Sequence, residues 1–255
     1  MAGVHVLADA LAGGSARRVA IEPEDVLETE ISRTFDVIRA LAEAVRQTAA
    51  SGALPVVLAV NCNTALGTVA GLQTPDDLGV VWFDAHGDFS TPENTGTGFI
   101  DGMGLAMLVG MGWQRLRSKV PGLRPIDPSN VVFIGGHDLN THEAELLPTS
   151  GITHVRRGQP LDDALDRLAG RVRGIYLHVD LDVLDPSVGM ANWVAAEGGL
   201  SAEELVASIE AVVERLEIRA LAFTAYIPEC DPELRIPPVA KDVLERVRVR
   251  VFTGS

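Results

Sequence analysis

Val80-Val81-Trp82-Phe83-Asp84-Ala85-His86-Gly87-Asp88 is the stretch that decides the fold of this chain. Its first four residues are apolar and bulky, the composition of a strand buried on both faces. The polar residues that follow then stand at that strand's carboxyl end. A second stretch repeats the pattern. Ile175-Tyr176-Leu177-His178-Val179 runs into Asp180-Leu181-Asp182, with Asp185-Pro186 just beyond. Residues two apart in an extended chain point the same way, so Asp84, His86 and Asp88 can converge from one strand end, and Asp180 and Asp182 from another. Four carboxylates and an imidazole at one sheet edge repel each other without a cation. They suit hard or borderline divalent ions such as Mn²⁺, with enough oxygens to bridge two. A lone Asp-x-Asp is more often a helix cap or a solvated loop. Two such clusters after buried-strand patterns, one with His, favour metal.

Working outward, strand and helix patterns alternate. Residues 16–21 read as a short strand, and 24–50 as a helix with an apolar stripe of Val26, Ile31, Phe35, Ile38, Leu41, Ala42 and Val45. Strands are expected at 55–60, 80–84, 130–135, 152–155, 174–180 and 219–224. Helices are expected at 64–72, from about 103, and at 141–148, 161–170, 202–216 and 238–252. Ser201-Ala202-Glu203-Glu204 is a capping-box pattern. This alternation predicts a mostly parallel sheet covered by helices on both faces, with ligands outside the strands' carboxyl ends. No repeat or linker divides the chain, so residues 1–255 are read as one domain.

At 255 residues, with 47% hydrophobic and 22% charged residues, the chain has the composition of a globular protein. The formal net charge of −14 argues against nucleic acid as a partner and for a small neutral or cationic ligand. Cys62 and Cys230 are too few for a disulfide framework, which predicts a reducing, cytoplasmic setting. The first residues carry no signal-peptide pattern. No apolar run reaches the roughly 20 residues that span a bilayer.

Asp84-Ala85-His86-Gly87-Asp88 and His178-Val179-Asp180-Leu181-Asp182-Val183-Leu184-Asp185-Pro186 resemble the two metal-binding motifs of the arginase–agmatinase (ureohydrolase) family, with similarity over about residues 50–255. The resemblance implies a three-layer α/β/α fold around a mostly parallel sheet of about eight strands. It implies two Mn²⁺ ions bridged by a hydroxide that attacks a guanidinium carbon, and a trimer or hexamer. Carried over by position, His86, Asp84, Asp180 and Asp182 would hold one ion. Asp84, Asp88, Asp180 and residue 62 would hold the other.

Four departures bear on that assignment. Position 62 is Cys where the family has His. A thiolate ligand would shift preference towards Zn²⁺ or Fe²⁺, whereas the other reading is a buried apolar thiol. Asp101 takes the place of the proton-shuttling His, and can shuttle only with a raised pKa; otherwise it is a solvated loop residue. Ala225 takes the place of the guanidinium-binding Glu. A guanidinium needs an opposing planar carboxylate, and Glu229, four residues on, is the available substitute. The substrate loop carries Ser90, Thr95, Thr97 and Phe99, more apolar at position 99 than the family pattern. Thr91-Pro92-Glu93-x-Thr95, His178 and Cys62 resemble hydroxyarginine-hydrolysing members of antibiotic biosynthesis. Those also lack the shuttling His but keep the Glu.

Glu143 falls where the family places a substrate-facing carboxylate, although its short polar helix, with His142, reads as solvated. His178 shares a strand face with Asp180 and is a candidate hydrogen-bonding support for the ligands. His137 reads as a loop residue bonded locally. Trp193 and Tyr226 read as pocket wall or as core. The function expected is hydrolysis of a C–N bond in a small linear guanidine, amidine or amide by a binuclear manganese centre. The alternatives are a mononuclear zinc-type hydrolase and a non-catalytic protein with a degenerate site.

Overall fold

The computed structural model describes residues 2–13, 16–23, 29–72 and 77–253. In chain order the elements are α1 (Ala2–Ala10), α2 (Glu30–Ala50), β1 (Val56–Leu58), α3 (Ala65–Leu72), β2 (Leu78–Asp84), α4 (Gly104–Leu108), α5 (Gln114–Arg117) and β3 (Val131–Gly135). They continue with α6 (Thr141–Leu146), β4 (Thr153–Val155), α7 (Asp162–Ala169), β5 (Gly174–Asp180), α8 (Ala202–Arg215), β6 (Glu217–Thr224) and α9 (Ile236–Thr253). The strands form one sheet in the order β1-β6-β5-β2-β3-β4, and every neighbouring pair is parallel.

Strand periodicity sorts the core into two layers. Val81 and Phe83 of β2 and Ile175, Leu177 and Val179 of β5 face one side, against Leu7 of α1 and apolar residues of α7, α8 and α9. Val80, Trp82 and Tyr176 face the other side, against Leu41 and Val45 of α2, Ala65 and Val69 of α3, and Leu105 and Leu108 of α4. Both central strands are buried throughout, as a parallel sheet between two helical layers requires. The layered α/β fold is therefore as expected from the sequence. So is the capping box of α8: Ser201 Oγ accepts from Glu204 N at 3.1 Å, and Glu204 Oε2 accepts from Ser201 N at 2.8 Å.

The strand count differs from expectation. Among the described residues the sheet has six strands, not about eight. Residues 16–21 are not a strand. Arg17 and Arg18 cannot lie inside a sheet buried on both faces, and Arg18 instead donates to Asp9 Oδ1 at 2.9 Å from an exposed segment. The helix expected from residue 24 begins at Glu30, with Thr29 Oγ1 accepting from Ser32 N; residues 24–28 lie outside the described residues. Helix α1 was not expected at all.

Order along the sheet positions the site. From β2 the chain proceeds to β3 and β4 on one side, while β5 returns to pair on the other side of β2. The β2/β5 junction is thus a point where strand order reverses, the place where open α/β sheets bind ligands.

Candidate metal centre

Asp84 is the last residue of β2 and Asp180 the last of β5, in adjacent strands whose register pairs Trp82 with His178 and Phe83 with Val179. Sheet pairing alone therefore brings the two motifs together. Beyond Asp180 the chain turns tightly through Leu181–Val183, because Asp180 Oδ1 accepts from Asp182 N at 2.9 Å. That turn delivers Asp182 beside His86. His86 Nδ1 lies 3.3 Å from Asp182 Oδ2 and 3.5 Å from Asp84 Oδ1. Ligand atoms of Asp84, His86 and Asp182 all fall within 4.8 Å of one another.

A second group of ligand atoms, from Cys62, Asp84, His178 and Asp180, meets the same 4.8 Å limit. Cys62 opens a turn, Cys62–Thr64, that leads into α3. Its Sγ donates to Asp180 Oδ2 at 2.8 Å and lies 3.2 Å from Thr224 Oγ1. Asp88 is buried, and its Oδ2 has no hydrogen-bond partner. Its φ of 46° puts a non-glycine residue in the left-handed region, a strain typically kept where surrounding structure and function demand it.

Electrostatics show what the cluster needs. Burial, with Asp182 close by, pushes the Asp84 carboxyl up to about 7 against the hydrogen bonds it accepts from His86. Burial and the neighbouring carboxylates also push Asp88 and Asp180 well above the carboxylate range. Burial and the charges around it raise the Cys62 thiol. Burial would lower His86, but Asp182 and Asp84 outweigh it and push the imidazole up to about 12. Three crowded buried carboxylates, one with an unsatisfied oxygen, fit divalent cations of the hard or borderline kind.

The supports behind these groups were largely invisible in the sequence. Trp82 Nε1 donates to Asp84 Oδ2 at 3.0 Å, and its ring stacks on His178 with centroids 3.5 Å apart. His178 Nδ1 meets Tyr176 OH at 2.7 Å and its Nε2 meets Thr224 Oγ1 at 3.3 Å. Burial pushes His178 down to about 3, so it is a neutral spacer. Thr224 Oγ1 also donates to Asp180 Oδ2 at 3.1 Å. The period-two spacing Trp82–Asp84 and Tyr176–His178–Asp180 carries a signal for these partners. Asn192 carries none: it lies in the loop after β5 and donates to Asp182 Oδ2 and to Ala225 O, both at 3.0 Å.

The remaining sequence candidates are spread around this core. Asp101 is not a solvated loop residue. It is half-buried, accepts from Asn63 N at 3.0 Å, and so braces the turn that carries Cys62; burial raises its carboxyl to about 6. Glu143 is likewise not solvated but 3% exposed. Its Oε1 accepts from Phe89 N and its Oε2 from Asn140 N, joining α6 to the turn after Asp88. Ser90 is buried and accepts from Asn140 Nδ2 at 3.3 Å. Thr95 and Thr97 shape their own loop: Thr95 Oγ1 accepts from Gly98 N, and Thr97 Oγ1 from Phe99 N. Glu229 is exposed on the turn Pro228–Cys230. Ala225, at the end of β6, is left-handed with φ 57°. His137 does not bond within its own loop as expected: its Nε2 lies 3.2 Å from Ala196 O, in the distant loop before α8, because the two loops meet at the carboxyl edge of the sheet. Tyr226 is core, and Trp193 is 69% exposed.

Fold and cluster together define a class: a parallel α/β protein with a carboxylate-rich, imidazole-bearing centre at the carboxyl ends of its central strands. A model of the arginase family matches residues 10–247. The arginase of Brevibacillus brevis is 32% identical over 239 residues, covering 88% of this chain and 80% of that protein. The arginase of Bacillus caldovelox is 33% identical over 210 residues, covering 78% and 70%. Its crystal structure at pH 5.6 aligns with a TM-score of 0.80 at 29% identity, over 96% of this chain and 88% of that one. Formimidoylglutamase of Bacillus subtilis shares the fold, with a TM-score of 0.73 at 16% identity. The chain belongs to the arginase family. Among the described residues no helix is long and apolar enough to cross a membrane.

Proposed function

We propose that this protein is a binuclear, manganese-type hydrolase that cleaves a C–N bond in a small linear guanidine, amidine or amide. The observation that carries the reading is the crowding of Asp84, Asp180, Asp182 and His86 at the β2/β5 junction, with Asp88 buried near enough for Asp84 and Asp180 to raise its carboxyl and its Oδ2 unpartnered. His86, Asp84, Asp180 and Asp182 would hold one ion, and Asp84, Asp88, Asp180 and Cys62 the other. Bound divalent ions lower the pKa of water, so that hydroxide is available near neutral pH. The chain's residues do the rest. Trp82 and Thr224 fix the two central carboxylates from behind, and Asn192 fixes Asp182. Asp101, whose Oδ1 accepts from the Asn63 N–H next to Cys62, is the proton-handling candidate.

Substrate contacts fall to the loops. Ser90, Thr95 and Thr97 line the connection after β2, Glu143 backs it, and Glu229 is the acidic group beyond β6. The end of β6 offers Ala225, whose carbonyl is already taken by Asn192. This favours a substrate whose reacting group is not clamped by a carboxylate at that position. We read the working form as a homo-oligomer, a trimer or hexamer, acting in the cytoplasm, with no nucleic-acid partner.

The test is elemental analysis of protein reconstituted with Mn²⁺, followed by a screen for urea or ammonia release from guanidines, amidines and amides. Two ions per chain with metal-dependent release of either product supports the proposal. Stoichiometric metal with no turnover across the screen would sink it in favour of a binding protein.

A further inference from the structure

The two ends of the cluster are chemically unlike. His86 Nδ1 stands beside carboxylate oxygens, of Asp182 at 3.3 Å and Asp84 at 3.5 Å. At the other end the group nearest Asp180 Oδ2 is a sulfur, Cys62 Sγ at 2.8 Å. A buried cysteine by itself is a small apolar filler. Here a second observation points to a ligand. Asp88, 6% exposed, has its Oδ2 buried and unpartnered, and it flanks the same turn: a Cβ placed on Gly104 would meet Asp88 Oδ2 and the Cys62 carbonyl carbon at 3.2 Å each. His178 does not compete for this position. Both its ring nitrogens are engaged, by Tyr176 and Thr224, and it is stacked on Trp82. What this end presents is one sulfur and several carboxylate oxygens.

Sulfur donors select thiophilic ions, whereas oxygen donors suit manganese and magnesium. We propose that the Cys62 end of the centre binds a thiophilic divalent ion of the zinc or cobalt type through the Cys62 thiolate, with Asp88 and the flanking carboxylates completing the set. Both ends still accept Mn²⁺, but the preference for Zn²⁺ or Co²⁺ over Mn²⁺ is greater at the Cys62 end than at the His86 end. On binding, the Cys62 S–H bond breaks, a sulfur–metal bond forms, and the proton leaves to solvent. The inference rests on the metal reading above but is tested by a separate signal.

The experiment uses full-length Cys230→Ser protein, in which Cys62 is the one thiol of the sequence. Metal-free protein is titrated with Co²⁺ and followed in the near ultraviolet. A sulfur-to-cobalt charge-transfer band that saturates at one equivalent and is displaced by Zn²⁺ is the expected result. In Cys62→Ser the band is absent while cobalt still binds at the His86 end. Because Zn²⁺ outbinds Mn²⁺ at most sites, the comparison is between variants. The zinc-over-manganese preference falls by at least about tenfold in Cys62→Ser, the lower end of what losing even a supporting group costs a metal site. Should Cys62→Ser fail to fold, X-ray absorption of the zinc-loaded Cys230→Ser protein reads the same point, with a sulfur neighbour at about 2.3 Å. Cobalt binding without the band, a band that survives Cys62→Ser, no cobalt binding, or a zinc shell of oxygen and nitrogen alone overturns the inference. The band without any turnover would leave it standing and sink the hydrolase reading; turnover without the band would do the reverse.

Discussion

Asp180 is the residue on which most of the cluster converges. One oxygen starts the turn to Asp182, and the other accepts from Cys62 and Thr224. Under the proposed assignment it touches both ions, so Asp180→Ala should abolish bound metal rather than halve it, measured as metal per chain. Asn192 acts one step away, by holding Asp182 Oδ2. Removing such a support typically costs about 10–100-fold in metal affinity, and Asn192→Ala should fall in that range by competition with a chelator. Asp185 makes a prediction about pH. Hydrogen bonds from Ser187, and from the Gly198 N–H, hold its carboxyl at about 2, below the usual value near 4. The folded-state pKa is depressed, so the contribution to stability is complete above about pH 4 and is lost as pH falls towards about 2. In acid-unfolding measurements, the stability gap between wild type and Asp185→Asn should stay constant near neutrality and close over that window.

Among the elements, two helices depend on close backbone approach. In α3 a Cβ on Gly67 would lie 2.6 Å from Ile38 O, and one on Gly71 would lie 2.6 Å from both Ala42 O and Val45 Cβ. Gly-x-x-x-Gly thus lets α3 sink onto α2, and α3 begins one turn after Cys62. Overpacking a tight contact costs about 1–3 kcal/mol, and Gly71→Ala should lose that much in denaturant unfolding. Helix α1 is more demanding still, since a Cβ on Gly3 would lie 1.8 Å from Tyr226 O. The expected outcome of Gly3→Ala is detachment of α1, seen as early proteolysis within residues 2–10, with the sheet and its helices intact. Nothing in the local sequence of α1 announced this helix, because its anchor is Leu7 packed against a core assembled mostly from residues beyond position 80.

For the whole molecule, the crowded carboxylates oppose folding unless a cation joins them. A ligand that binds only the folded state stabilises it by about 2.7 kcal/mol at a hundred times its Kd. For a chain of this size that corresponds to roughly 5–10 °C in Tm. Chelation should lower Tm by that order, and Mn²⁺ or Zn²⁺ should restore it in a scanning calorimetry trace. A Tm indifferent to chelator, in protein shown to have held metal, would mean that the cluster is equally stable without cations.

The sequence by itself determined the strand-and-helix alternation, the buried central strands and the positions of Asp84, His86, Asp88, Asp180 and Asp182, because apolar runs with period two and abrupt acidic ends are local patterns. It also showed which family positions had changed, Cys62, Asp101 and Ala225 among them. Only the tertiary structure decided what surrounds them. Strand pairing put His178 on Trp82, brought Thr224 to Asp180, and folded Glu143 and Asp101 inward as braces where their polarity had suggested solvent. Among the described residues it also formed a sheet of six strands, and the segment carrying Arg17 and Arg18 joined none of them, having no face to bury. A residue's own chemistry is written in the chain. Its partners are set by register and by the order of strands, and for Asn192, Thr224 and Trp82 those partners lie on other elements or depend on where other elements pack.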